Sequence, residues 1–211
     1  IIIVNIVIFI LVELSGLKLD IFRQFGLIPS KTLFDMAIWQ PFTYMFLHDG
    51  FLHILLNMLF LWMFGREVET TWGKIAFYKY YMATGVGSGL LNALINYNST
   101  IPVVGASGAV FGVLLAFAIL FPNRIVLLYG LVPIRVKYLV MGLALIALFS
   151  SILMQDSRVS HLTHLSGMII GLVVIIFNLK WNEIKMRYFQ LRLKNITYKT
   201  LGKKKEKKLE K

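Results

Sequence analysis

A serine, histidines and an asparagine sit where apolar runs begin. Ser107 lies in Gly105-Ala106-Ser107-Gly108 at the head of one run, His53 and Asn57 open a second, and His161 and His164 open a third. A serine hydroxyl attacks a carbonyl usefully only when a base takes its proton, and a histidine is the commonest such base. His53 and Asn57 are four residues apart, so a helix presents both on one face, and both can donate hydrogen bonds to a developing oxyanion. Residues 109 to 121 read as helix, which sets Ser107 at a helix N-terminus, where unpaired N–H groups and the helix dipole favour negative charge. A serine, a base and donors at one depth suggest hydrolase chemistry.

Each motif also has a plainer reading. Gly108 and Gly112 form a GxxxG, which lets membrane helices pack closely. His53 and Asn57 could clamp neighbouring helices, since neither belongs in hydrocarbon without a partner. His164, Gly167 and Gly171 follow i, i+3, i+7, one helix face with a groove below the histidine. The helix carrying Gly108 and Gly112 is its natural partner, and such packing would bring His164 to Ser107. The four histidines, His48, His53, His161 and His164, raise a zinc reading. No HExxH occurs, and the nearest carboxylates, Asp49 and Asp156, fall in loops. Neither metal nor other cofactor is expected, and without cysteine there is no thiolate chemistry or disulfide.

The elements that must hold these groups are membrane helices. The 211-residue chain is 58% hydrophobic with a mean hydropathy of +0.74, which identifies an all-α polytopic membrane protein. A span needs about 20 mostly apolar residues. Six are expected, at about 1–13, 51–71, 75–96, 106–121, 134–154 and 160–180. The chain opens at Ile1 inside an apolar run, so the first helix reads as truncated. The connection from Glu13 to Gly50 is rich in aromatics, with Pro29 and Pro41, and should fold against the membrane surface with short interfacial helices. Residues 1–180 then form one membrane domain, and 181–211 a basic tail.

Charge orients the helices. One alternate set of connections, with the tail, carries 18 Lys and Arg, and the other carries 4, Arg158 among them. The rich side is cytoplasmic by the positive-inside rule, both termini lie inside, and the cell membrane is the expected location. Helices two, four and six then enter from outside, so His53, Ser107 and His164 share the outer leaflet. The net charge of +12 is concentrated after Lys180, where it suits anionic headgroups better than nucleic acid.

These residues resemble the rhomboid intramembrane serine proteases. Gly105-Ala106-Ser107-Gly108, His53-x-x-x-Asn57 and His164-x-x-Gly167-x-x-x-Gly171 match in order and spacing, and Gly65 to Glu69 is similar to the family's Gly-x-x-x-Glu. The resemblance covers roughly residues 1–180 and implies a six-helix bundle. It implies Ser107 as nucleophile and His164 as general base, with no acidic third member. His53, Asn57 and the Ser107 N–H would hold the oxyanion, with Gly105, Gly108, Phe111, Gly167 and Gly171 in support. The implied substrates are membrane segments of other proteins within the lipid bilayer. Phe111 stands where the family often has Tyr. Trp39-Gln40 replaces a common Trp-Arg, which bears on the stability of the first loop. Thr163 replaces Ala, and His161 replaces Asn. Two rivals stay open: an inactive rhomboid-like protein that binds membrane helices, and a small transporter, which should show internal repeats.

Overall fold

Helices form at every position where an apolar run was read. The computed structural model describes residues 1–128, 131–153 and 161–178. In chain order, α1 is Ile2–Ser15, followed by α2 (Lys18–Phe25), α3 (Pro29–Phe34), α4 (Gln40–Thr43) and a 3₁₀ turn at Tyr44–Phe46. One rod, Phe51–Trp72, is built of α5 (Phe51–Phe60), a π turn (Leu61–Gly65) and α6 (Arg66–Trp72). Then come α7 (Lys74–Ile95), α8 (Ser107–Leu120), strands β1 (Ile125–Leu128) and β2 (Val132–Arg135), α9 (Val136–Leu153) and α10 (His161–Asn178). The chain divides into two compact units, Ile1–Val174 and Ile175–Lys211. The basic tail, Arg158 and the outer ends of the expected last span lie outside the described residues.

Among the described residues three helices are long and apolar enough to cross a bilayer: Phe51–Trp72, Val136–Leu153 and His161–Asn178. Helices α1 and α8 are apolar but shorter, at 14 residues each. Helix α7 has 22 residues, enough length, but carries polar side chains along one face. Length and apolarity alone therefore mark three of the six expected spans.

The packing inverts that of a soluble protein. Thr84, Ser88, Asn92, Asn57, Thr163 and Ser166 are buried, while Ile3, Leu14, Leu52, Ile75 and Ile146 stand exposed. Most of these buried polar groups bond backbone carbonyls or one another, as Asn57 bonds the His53 carbonyl and Asn92 bonds Thr163, and apolar groups outside suit a hydrocarbon solvent. Helices α7 and α8 form the centre, and Ala109, Val113 and Ala116 of α8 are fully covered. Gly112 lies so close to α7 that a Cβ there would come 2.8 Å from Thr84.

The first loop folds into short helices as expected, and it is braced onto the segment before Ser107. Leu27 and Val103 exchange backbone hydrogen bonds of 2.9 and 2.8 Å. The Gly105 N–H donates to the Tyr44 carbonyl at 2.9 Å. Gln40 removes the question raised by the missing arginine. It is buried, and its Oε1 accepts from the Ile28 N–H at 2.9 Å and the Thr32 hydroxyl at 3.0 Å. A neutral amide thus ties three turns of the loop without a buried charge. The hairpin of β1 and β2, antiparallel with Val126 opposite Ile134, was not expected where the sequence suggested only a connection.

Candidate active site

Ser107 is the first residue of α8. The first N–H groups of any helix lack carbonyl partners within it, so donors surround this serine by construction. Gly105 precedes it with φ +124°, a conformation that side chains rarely adopt. A Cβ on Gly105 would sit 2.7 Å from His53 Nε2. The His53 ring therefore lies directly over the backbone two residues before the serine.

The state of the His53 ring follows from its other nitrogen. Nδ1 accepts the Asp49 backbone N–H at 3.2 Å, so a neutral ring carries its proton on Nε2, the atom facing Gly105. Asn57 is buried one turn below, and its Nδ2 donates to the His53 carbonyl at 2.9 Å. That bond uses one of its two amide protons and leaves the other free to donate.

His164 comes to the same place by glycine packing. A Cβ on Gly167 would lie 1.9 Å from the Gly108 carbonyl oxygen, and one on Gly171 would lie 3.3 Å from the Gly112 Cα. Backbone thus meets backbone at Gly167, as the face of glycines implied, while at Gly171 the Tyr80 hydroxyl of α7 comes closer than the α8 backbone. The His164 ring stacks on Phe111 with centroids 4.2 Å apart and planes 9° apart. Phe111 is one turn beyond Ser107, so the imidazole lies against the α8 face that carries the serine. No hydrogen bond joins Ser107 and His164 in this structure, and catalytic contacts of this kind commonly tighten only with substrate.

Several supporting groups carried no clear signal in the sequence. His48 is buried, its Nε2 accepts the Ala106 N–H at 3.4 Å, and its ring meets His53 edge-on at 5.1 Å. Burial first, and the neighbouring His53 second, hold the His48 pKa down at about 3, so it stays neutral and keeps accepting. Asn92 Nδ2 donates to Thr163 Oγ1 at 2.6 Å, which gives the hydroxyl in place of Ala a function: it fastens α10 to α7. The Tyr44 hydroxyl donates to the Gly85 carbonyl at 2.7 Å. A signal for the α7 groups was present, because Gly85, Ser88, Gly89 and Asn92 follow i, i+3, i+4, i+7. The His161 ring lies edge-on to His164 at 6.0 Å, outside the Phe111 stack. Among the described residues no three His, Asp or Glu side chains gather as metal ligands would.

Comparison with known proteins agrees with the architecture. The Rhomboid domain family model matches residues 35–181. The chain is 32% identical over 178 residues, 79% of its length, to Rhomboid-like protein 11, chloroplastic, of Arabidopsis thaliana, and spans 62% of that protein. It is 39% identical over 88 residues to Rhomboid protein 1, mitochondrial, of Saccharomyces cerevisiae, covering 40% of this chain and 25% of the relative. It is 31% identical over 112 residues to the rhomboid protease GluP of Bacillus subtilis, covering 52% of this chain and 22% of the relative. The chain thus spans less than two thirds of each of these relatives. With the family domain matched over most of its length, this chain belongs to the rhomboid family.

Proposed function

We propose that this protein is an intramembrane serine endopeptidase that cuts membrane segments of other proteins. Ser107 Oγ attacks the scissile carbonyl, and His164 takes its proton and later returns it to the leaving amine. His53 Nε2–H, the free Asn57 amide proton and the Ser107 N–H donate to the tetrahedral oxyanion. The observation that carries this reading is the Phe111–His164 stack at 4.2 Å, because it holds the imidazole on the α8 face that carries Ser107 one turn away. Rigid helices hold both groups, and acyl transfer gains most from such pre-set geometry.

The reading has a membrane setting. All six apolar helices cross the bilayer, with residues 1–180 as the membrane domain and 181–211 as a basic tail on the charge-rich, inner side. Helix α8 has 14 residues, about 21 Å, so a bilayer of about 30 Å leaves Ser107 below the surface. Buried polar groups such as Asn57, Asn92 and Ser166 suit a wet site at that depth. A helical substrate must unwind there to expose its carbonyl, so segments with small or helix-breaking residues are preferred. The protein is an integral membrane protein. The cell membrane expected from charge gains no support from relatives named as chloroplastic and mitochondrial.

The test is labelling of membranes with a fluorophosphonate probe, beside Ser107→Ala and His164→Ala. The expected result is labelling of the wild type that both substitutions abolish. A folded wild type that stays unlabelled, while another rhomboid protease labels in parallel, would turn the reading to a non-proteolytic binder of membrane helices.

A further inference from the structure

The bundle carries a second concavity at the end away from Ser107. A cavity of about 480 Å³ opens between the π turn with α6 on one side and the end of α8 with β1 on the other. Helix α8 separates it from Ser107 by about 15 Å of rise, from Ser107 to Phe117. Its inner wall is aromatic: Phe64 and Phe117 meet edge-on at 5.0 Å, and Phe121 packs on Phe117 at 5.1 Å. Trp62 lines the mouth and is 56% exposed. Beside it β1 turns Ile125 and Leu127 outward, both more than half exposed, so the surroundings are as apolar as the wall.

The rim has the opposite character. Arg66, Glu67 and Arg124 line it, and Glu67 is ion-paired with Arg124. Arg66 has no carboxylate partner among the described residues. The Thr70 and Thr71 hydroxyls donate to the Arg66 and Glu67 carbonyls and so do not neutralise it. Two guanidiniums against one carboxylate leave one positive charge beside an aromatic slot. Planar guanidiniums grip phosphate oxygens two at a time, and an exposed Trp is typical of the headgroup level. The size suits a headgroup and the upper part of one acyl chain.

We propose that this cavity binds an anionic glycerophospholipid, with its phosphate on Arg66 and Arg124 and an acyl chain along Trp62 and Phe121. The net positive rim selects anionic over zwitterionic lipid, because a zwitterionic headgroup brings its own cation. The apolar mouth selects lipid over free phosphate. The site is separate from Ser107 and does not depend on what that serine does.

The experiment measures native mass spectra of the full chain in detergent, titrated with phosphatidylglycerol, phosphatidylcholine or inorganic phosphate. Phosphatidylglycerol should be retained over phosphatidylcholine by about fivefold per unpaired guanidinium, and inorganic phosphate should not displace it. The preference should vanish in the double variant Arg66→Gln/Arg124→Gln and in Val126→Trp, which fills the slot. Retained preference in either variant, once it elutes as a folded species, would overturn the proposal, as would displacement by inorganic phosphate. Should both variants fail to fold, the wild type decides: dibrominated phosphatidylglycerol should quench indole fluorescence more strongly than dibrominated phosphatidylcholine, and equal quenching would overturn the assignment.

Discussion

Two regions hold the candidate site, and they are built in opposite ways. The seam of α8 and α10 is closed by glycines: Gly167 lies directly on the Gly108 backbone, and Gly171 fits between the Tyr80 hydroxyl and the Gly112 backbone. The first loop, residues 17–50, is held by side chains reaching backbone. Trp39 Nε1 donates to the Gln24 carbonyl at 2.9 Å, Thr43 Oγ1 to the Phe25 carbonyl at 2.6 Å, and Gln40 accepts from Ile28. The seam sets distance by steric contact, which neither pH nor solvent alters. The loop sets direction by hydrogen bonds, which both can alter. The serine and its expected base thus depend on the first kind of order, and His53, whose Nδ1 accepts from Asp49 of the loop, on the second.

That contrast can be broken first at Gly167. Gly167→Val forces a side chain into the Gly108 carbonyl, and backbone cannot move as a side chain can. The expected loss is about 3 kcal/mol or more, at the upper end of overpacking, with fluorophosphonate labelling lost. Thermal unfolding in detergent reads the first and gel fluorescence the second. Gly85→Ala is the sharpening control. Its added Cβ would lie 1.9 Å from the Met45 Cε, the far end of a flexible side chain that can swing aside. A melting temperature within a few degrees of wild type is expected for it, and equal damage from both would undo the distinction between backbone and side-chain contact.

The loop should respond less and differently. Gln40→Leu leaves the Ile28 N–H and the Thr32 hydroxyl buried without their acceptor, for about 2–3 kcal/mol. Denaturant or thermal unfolding measures this, and no loss would mean that the loop is held by packing alone.

His48 gives the loop a pH dependence of its own. Its pKa falls from an ordinary 6.5 to about 3 on folding. Below pH 6.5 the unfolded chain binds a proton that the folded chain refuses, so stability falls as pH drops from about 6.5 toward about 3. The slope is at most about 1.4 kcal/mol per pH unit. The melting temperature of His48→Gln should fall less steeply over pH 6.5 to 4.5 than that of the wild type. Parallel slopes would remove His48 from the account.

The smallest effect belongs to Lys18. It bridges Glu13 at 2.8 Å and Asp49 at 3.1 Å at an exposed position, and its pKa is raised first by the Glu13 hydrogen bond. Lys18→Ala should cost about 0.2–1 kcal/mol, less at high salt, in the same unfolding assay.

The difference between seam and loop also explains what the sequence could disclose. Glycines at i, i+3 and i+7 are a local pattern, so the seam was readable from His164, Gly167 and Gly171 alone. The helices were readable because a long apolar run is one too: 75–96 was expected against Lys74–Ile95, and 106–121 against Ser107–Leu120. His48 was not, since a single loop histidine gives no sign that it will accept from Ala106, 58 residues on. Gln40 looked like a loss because charge was read where an acceptor was needed. The hairpin escaped because its strands have 4 residues each, one of them Pro133, too short to show an alternation.

The π turn at Leu61–Gly65 has a consequence for how this chain can vary. A wide turn holds one residue more than an α turn, and it separates His53 and Asn57 above from Glu67 below. Deleting one residue there would close the turn to an α turn and leave α5 and α6 nearly in phase, so Glu67 would keep its face toward Arg124 while His53 stayed over Gly105. The bulge is an extra residue absorbed within a single rod. It lets the two ends of one helix follow separate histories, each keeping its own face toward its own neighbour.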